Sequence, residues 1–385
     1  MGRMLRIALL LLASCPSYAG DNAVALNLYQ RLSAQPGNLF FSPYSISSAL
    51  TMTYAGAGGR TASQMASVLR LGGDAHAACR DLAASLDEAA RLGKVELSVA
   101  NALWGQEGFG FKKPFLELAK RYYGAGLHEM DFKRDSEGAR KTINTWVQGK
   151  TAERIKELIG PGILDAMTRL VLTNAIYFKG DWAARFDKGA TLEEDFHLDG
   201  GKAVRAPMMR QTQEFRYSEA PGLQILEMPY SGGRLSMIVL LPSKADGLKA
   251  LESRLDEQAL SGWLKGLRRG KVQVILPRFK TSSGFRLDSV LKAMGMRDAF
   301  SLKSADFSGM DGKKDLYIGA VLHKAFVDVN EEGTEAAAAT AVVMAIKAAP
   351  AAPPMFRADH PFLFLIRDAK TGAILFMGRL ADPRT

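Results

Sequence analysis

Apolar residues recur at helical spacing through much of the first half of the chain. From position 21, for example, Val24, Leu28 and Leu32 would lie on one face of a helix. The pattern predicts helices over residues 21–34, 43–54, 74–92, 113–123 and 136–158. A further helix is expected to open at Thr61, because Gln64 follows at the spacing of a capping box. Shorter helices are predicted within 246–266 and near 285–294.

Other segments follow a two-residue period or are continuously apolar, and these predict strands. Residues 169–178 are so apolar that the strand should be buried on both faces. Further strands are predicted over 95–103, within 191–241, and over 272–276, 321–329 and 361–366. No repeat, linker or change in composition divides the sequence. We therefore expect one α+β domain over residues 21–385.

The segment from 331 to 354 joins two predicted strands and allows two interpretations. Thr334 could cap a helix, and the alanines that follow favour one. Drawn as a strand, the same segment has one face without charge, and no proline occurs between 331 and 349. That face would carry Thr334, Ala336, Ala338, Thr340, Val342, Met344 and Ile346, whereas Glu335 lies on the other. The loop could therefore become a buried central strand.

The composition is that of a globular protein, with 47% hydrophobic and 23% charged residues among 385. The formal charge is +10 and is spread along the chain, which predicts a solvated basic surface and, more weakly, binding of a polyanion. Basic and aromatic residues are not interleaved, so no nucleic-acid partner is expected. No apolar stretch after the first twenty residues is long enough to span a membrane.

Residues 1–19 resemble an export signal. Arg3 and Arg6 precede an apolar core, and residues 17–19 form a small-x-small cleavage site. The alternative is a bacterial lipoprotein signal that ends before Cys15, which would then carry the lipid. The two interpretations predict a secreted protein and a periplasmic or membrane-anchored one, respectively. In either case Cys79 is the sole cysteine left in the body, so no internal disulfide can form.

Residues that would support enzyme chemistry are scarce. The five histidines form no His-Glu-x-x-His motif, and no Gly-x-Ser-x-Gly elbow or Cys-x-x-Cys pair is present. We therefore expect neither enzymatic activity nor a metal site nor a cofactor.

Four segments in this order and spacing resemble the serpins, a family of serine protease inhibitors. They are residues 38–46, 172–182, 323–340 and 375–383, within a resemblance that covers about 22 to 383. The resemblance implies a serpin fold with three β-sheets, eight or nine helices and an exposed reactive-centre loop at about 331–356. It also implies a central sheet that is one strand short in the native protein.

The function implied by the resemblance is single-use inhibition by a monomer. A target serine protease would cleave the loop, form an acyl-enzyme, and be distorted when the cut loop enters the central sheet. The alternative is a non-inhibitory serpin that acts as a binding or carrier protein.

The resemblance also assigns candidate site residues in three groups. The loop hinge would comprise Glu331, Gly333, Thr334, Ala336, Ala337, Ala338 and Ala339. A polar cluster beneath the middle of the sheet, called the shutter, would comprise Ser42, Ser45, Asn174 and His323. Trp182 and Arg278 would lie at the top of the sheet, in the breach, where Arg278 would pair with Glu331.

The scissile bond is placed by the family's count of fourteen residues from Gly333, which gives Lys347-Ala348. A lysine before the bond suits a trypsin-like protease, whose specificity pocket ends in a carboxylate. The segment between Lys347 and Pro361 is longer than is common in the family, which leaves a displaced bond open. Ile346 or Ala348 would then suit an elastase-like protease.

Overall fold

The computed structural model describes residues 19–93, 95–124, 126–332 and 352–384. Within these ranges the helices are Ala19–Leu32 (α1), Pro43–Tyr54 (α2), Gly59–Leu69 (α3), Ala75–Gly93 (α4), Lys113–Tyr123 (α5), Phe132–Lys150 (α6), Leu248–Arg254 (α7), Glu257–Lys265 (α8), Asp288–Met294 (α9) and Ser308–Asp311 (α10). The strands are Leu39–Phe41 (β1), Val95–Gln106 (β2), Leu127–Met130 (β3), Leu170–Gly180 (β4), Leu192–His197 (β5), Ala203–Ala220 (β6), Leu223–Pro229 (β7), Leu235–Pro242 (β8), Arg268–Pro277 (β9), Phe279–Arg286 (β10), Ile318–Val329 (β11), Met355–Arg357 (β12), Phe362–Asp368 (β13) and Ile374–Leu380 (β14).

The predicted α+β class is confirmed, with helices packed on mixed sheets. The described strands join into two hydrogen-bonded sheets, one of five strands and one of nine. Two sheets are seen, where the resemblance implied three, because the 18-residue strand β6 pairs with β5, β7 and β9 along its length. This strand makes the larger sheet continuous.

The five-stranded sheet has the order β10-β11-β4-β2-β3. The neighbouring inner strands β4 and β11 run parallel to each other. Strand β4 is antiparallel to β2 on its other side, and β11 is antiparallel to β10. A parallel pair cannot be joined by a tight turn, and here nearly 140 residues separate the two strands. We call the boundary between β4 and β11 the seam.

Both faces of the seam are covered, as the continuous apolar sequence of β4 predicts. On one face Val171 and Ala175 pack with Ile143 and Val147 of α6. On the other face Leu172 and Ile176 enter the two larger core clusters. The strand is therefore buried over its first nine residues.

The segment after α6 completes the cover and departs from the predicted helix over 136–158. The helix ends at Lys150, because Ala152 and Glu153 adopt left-handed backbone conformations with φ of 47° and 60°. The chain then lies across the sheet as irregular structure, with Ile155 and Ile159 fully buried in the same cluster as Val171. The spacing of apolar residues in this segment therefore indicates which side chains are buried, and it does not indicate a helix.

Candidate functional site

The polar residues predicted beneath the sheet are brought together at the seam. His323 on β11 lies directly opposite Asn174 on β4 in the strand register. Its Nδ1 hydrogen-bonds the Asn174 side-chain oxygen, so that a side-chain bond crosses the seam near its middle. His323 is fully buried and Asn174 almost so.

Helix α2 anchors this pair from below. Ser42, its N-cap residue, accepts the backbone N–H of Ser45 at 3.1 Å and donates its hydroxyl to the Leu375 carbonyl at 2.7 Å. The Ser45 hydroxyl is 2.6 Å from the Asn174 amide nitrogen, which donates to it. The four predicted residues Ser42, Ser45, Asn174 and His323 thus form one buried network.

A fifth member of this network is Asn101 on β2, opposite Asn174 in the register. Its side-chain oxygen accepts from both Ser45 and Asn174. Sequence reasoning missed Asn101, although a signal was present: it shares strand parity with Leu97, Val99 and Leu103 and is the lone amide on that face.

The network fixes the protonation state of His323. The backbone N–H of Ser42 donates to Nε2 at 3.1 Å, so Nε2 carries no proton and Nδ1 must be the donor to Asn174. Burial lowers the pKa of His323 to about 3, against the opposing effect of the bond to Asn174. The imidazole is therefore neutral at physiological pH.

The end of β11, from which the loop departs, is held by an aromatic anchor. The Trp182 ring stacks on Tyr230 with centroids 4.6 Å apart, and its Nε1–H donates to the Asn330 carbonyl at 2.9 Å. Trp182 is 5% exposed. Because Trp182 donates to a backbone carbonyl and not to a side chain, this hydrogen bond fixes the main chain at Asn330, the residue just after β11.

The next residue, Glu331, is tied down by its side chain. The Thr191 hydroxyl donates to the carboxylate at 2.8 Å, and an Arg278 nitrogen lies 3.5 Å from the same oxygen. Glu331 is buried, whereas Arg278 is half-exposed. Beyond it, Glu332 is paired with Lys188. Thr191 was not predicted, and no pattern in its sequence neighbourhood indicates the contact.

Comparison with known proteins identifies the family. The family model described as "Serpin (serine protease inhibitor)" matches residues 19–383. The chain is a serpin. It is 42% identical over 377 residues to rat leukocyte elastase inhibitor A, which covers 95% of this chain and 99% of that protein. It is 44% identical over 374 residues to serpin B6 of Macaca fascicularis, which covers 94% and 98% of the two chains.

Solved structures agree with this assignment. Uncleaved ovalbumin superposes with a TM-score of 0.86 at 32% identity and covers 95% of this serpin and 100% of the ovalbumin chain. The predicted absence of enzymatic activity is confirmed, because serpins are inhibitors and not catalysts. The relatives also support inhibition of serine proteases as the general activity.

The comparison corrects the predicted location. Leukocyte elastase inhibitor and serpin B6 are intracellular serpins, so the prediction of a secreted protein is wrong, as is the alternative of a periplasmic or membrane-anchored lipoprotein. Ala19, the last residue of the pattern taken as a cleavage site, is the first residue of α1. None of the described helices is both long and apolar enough to cross a membrane.

Several predicted residues lie outside the part of the chain that the structure describes. These are Cys15, the hinge residues Gly333, Thr334, Ala336, Ala337, Ala338 and Ala339, and the predicted scissile pair Lys347 and Ala348. Their roles remain predictions. Of the hinge, Glu331 alone is placed by the structure.

The neutral His323 predicts a pH-dependent stability. Its folded pKa lies below the unfolded value of about 6.5, so its contribution is complete above that pH and is lost as the pH falls toward 3. Between about pH 8 and about pH 5 this residue should cost the native state roughly 2 kcal/mol. His323→Gln keeps one donor and one acceptor but does not titrate. Urea unfolding of both proteins at the two pH values should show the smaller loss in the variant, and equal losses would contradict the assignment.

Proposed function

We propose that this serpin is a single-use covalent inhibitor of a trypsin-like serine protease. In this proposal the cleaved loop enters the seam between β4 and β11 as a new strand. The observation that carries it is the parallel pairing at the seam. A chain that leaves the end of β11 and folds back must run antiparallel to β11, and therefore antiparallel to β4 as well. Insertion would replace one parallel pairing by two antiparallel ones.

The lengths also agree. Strands β11 and β4 contain 12 and 11 residues, respectively. The uncharged face of the loop runs from Thr334 to Ile346, which is about 44 Å in extended antiparallel conformation. A strand of that length would fill the whole seam.

Insertion of the loop would require several contacts at the seam to break. The side-chain bond between His323 and Asn174 crosses the path of the new strand. On the opposite face, α6 and the segment after it lie over the same boundary. At the exit, Trp182 and Thr191 hold Asn330 and Glu331. These contacts keep the native sheet closed until cleavage frees the loop.

The chemistry required is that of the protease. Its serine oxygen attacks the carbonyl carbon of Lys347, the bond to the Ala348 nitrogen breaks, and the new amine leaves with the proton of the serine. The ester then joins Lys347 to the protease while the loop inserts. Deacylation depends on sub-ångström alignment of the catalytic groups in the protease. Because the inserted loop displaces the serine from that alignment, hydrolysis of the ester stops.

The residue before the scissile bond sets the target class. Lys347 favours a trypsin-like protease, since its ammonium group can pair with the carboxylate of that specificity pocket. An elastase-like protease is the natural comparison, because one relative is named leukocyte elastase inhibitor and because Ile346 or Ala348 would suit it. The trap needs one copy of the chain, which we propose to be a monomer, and the basic surface leaves a polyanion as a further predicted partner.

The test is incubation with trypsin and, separately, with an elastase-like protease. We expect a covalent complex with trypsin that survives denaturation. We also expect a released peptide whose mass shows that it begins at Ala348. Lys347→Ala should abolish the trypsin complex. Clean cleavage without a complex would favour the non-inhibitory alternative, and a complex with elastase alone would displace the bond to a neighbour of Lys347.

A further inference from the structure

The outer edge of strand β9 is covered over only part of its length. On the inner side, β6 pairs with β9 from Arg268 to Pro277. On the outer side, β12 pairs with β9 from Gln273 to Ile275. The range 268–272 therefore has no strand partner on its outer side among the described residues, and its first four residues are exposed. Such an edge offers backbone donors and acceptors to another extended chain.

The backbone groups that point outward belong to alternate residues of β9. The Gln273 N–H donates to the Pro354 carbonyl at 2.9 Å, so the main chain of Gln273 faces β12. Because this direction alternates along a strand, the N–H and C=O groups of Arg269 and Lys271 lie on the same outer edge. Val272 is buried, so the Lys271 side chain lies on the solvent face. An incoming strand would therefore meet two residues whose outward backbone groups have no partner in the described part of the chain.

The segment that leads into β12 cannot extend the pairing along this edge. A continued parallel register would place Pro354 opposite Val272 and would need an N–H of Pro354 for the Lys271 carbonyl. Proline has no N–H, and Pro353 before it lacks one as well. This explains why β12 begins only at Met355. The edge is thus open to a second molecule.

The open edge is cationic. Arg268 and Lys271 form no ion pair with a carboxylate among the residues that the structure describes, whereas Arg269 is paired with Glu214 at 2.8 Å. Lys265 adds a further charge nearby, since Arg268 donates to its carbonyl at 2.8 Å. A second copy of this chain is disfavoured as the occupant, because two such edges would repel each other. An extended segment that carries carboxylates is complementary to the edge.

We propose that residues 268–272 of β9 bind an extended acidic segment of a partner protein as an added antiparallel strand. In a hydrogen-bonded antiparallel pair, the residue opposite Lys271 directs its backbone groups to β9 and its side chain to the face of Lys271. A carboxylate in that position would pair with the ammonium group. Alternate apolar residues of the segment would lie on the face of Val272. Neither the loop nor the seam takes part, so this inference is independent of the proposed inhibitory function.

Fluorescence anisotropy of the whole chain with a labelled octapeptide of alternating glutamate and valine tests this strand addition at low ionic strength. We expect saturable binding, and a lysine-valine octapeptide should bind about tenfold more weakly or less. N-methylation of the four glutamate nitrogens removes the donors that face β9 and should weaken binding by about tenfold or more. The isomer methylated at the four valine nitrogens should bind like the parent peptide. No binding of the parent peptide, or equal affinities of the two isomers, would overturn the proposal.

Variants of the protein separate the backbone contribution from the charge. Lys271→Pro removes the outward N–H without removing a bond to β6, and proline is tolerated on an edge strand. It should bind the glutamate-valine peptide about tenfold more weakly than Lys271→Ala, which loses the charge alone. Equal affinities of these two variants, with unchanged melting temperatures, would contradict strand addition. If Lys271→Pro fails to fold, the two methylated isomers still decide the question, because they use the unsubstituted chain.

A second pair of variants tests whether the charge acts at this edge. Arg268→Glu/Lys271→Glu should weaken binding of the glutamate-valine peptide by about tenfold or more. Lys113→Glu/Lys303→Glu makes the same change in net charge at exposed residues of other segments and should leave the affinity unchanged. Equal loss in both double variants would mean that the peptide responds only to the overall charge of the protein, and it would overturn the site.

Discussion

Trypsin is expected to cleave the Thr334→Glu variant and to leave it without forming a stable complex. Thr334 begins the uncharged face of the loop, which the proposed insertion buries against the sheet. A carboxylate there would enter the seam without a partner, at a cost of about 3 to 5 kcal/mol. Such a cost would slow insertion by more than about a hundredfold, so that deacylation wins and the inhibitor becomes a substrate.

The matched control for this variant is Ala337→Glu. Residue 337 lies on the opposite face of the same strand, together with the natural carboxylate of Glu335. The control adds the same charge to the same loop but should keep most of the inhibition. Gel analysis of the complex for both variants checks the prediction. Equal inhibition by the Thr334→Glu protein, or equal loss in both, would show that strand parity does not govern insertion.

Elements whose signals are local were predicted well from the sequence. Helix α5 spans Lys113–Tyr123 as expected, because Pro114 favours its first turn and Gly124 ends it in a left-handed conformation. Strand β4 was recognised from its continuous apolar sequence, which requires cover on both faces. In both cases the pattern and the tertiary environment favour the same structure.

Elements whose polar residues serve distant partners were predicted less well. Thr61 and Gln64 have capping-box spacing, yet α3 begins at Gly59 and neither residue caps it. Thr61 is buried and accepts the backbone N–H of Asp306, while Gln64 accepts those of Arg297 and Asp298. A local pattern cannot distinguish a helix cap from a contact made across the fold.

In the candidate site, too, some features could be predicted from the sequence and others could not. The resemblance named Ser42, Ser45, Asn174 and His323, and the fold brings them within hydrogen-bonding distance of one another. Neither the parallel register that places His323 opposite Asn174 nor the contact between Thr191 and Glu331 follows from periodicity. Both depend on strand order, which hydrophobic spacing does not report.

The proposed trap requires that the native sheet is one strand short of its most stable form. Cleavage near Lys347 should release the constraint and let about twelve residues join the seam. Each net hydrogen bond contributes about 1 kcal/mol, so the gain is on the order of 10 kcal/mol. For a domain of this size, that gain should raise the melting temperature by roughly 10 to 15 °C.

The most direct test is to cleave the loop near Lys347 with a metalloprotease, which forms no acyl-enzyme and so is not trapped, and to compare the thermal unfolding of the intact and cleaved proteins. The Thr334→Glu protein, cleaved in the same way, is the control, because its loop should enter the seam poorly and its melting temperature should rise much less. A large increase confined to the unsubstituted chain is the result predicted by insertion between β4 and β11. An unchanged melting temperature after cleavage of the unsubstituted chain would contradict a metastable sheet, and with it the proposed trap.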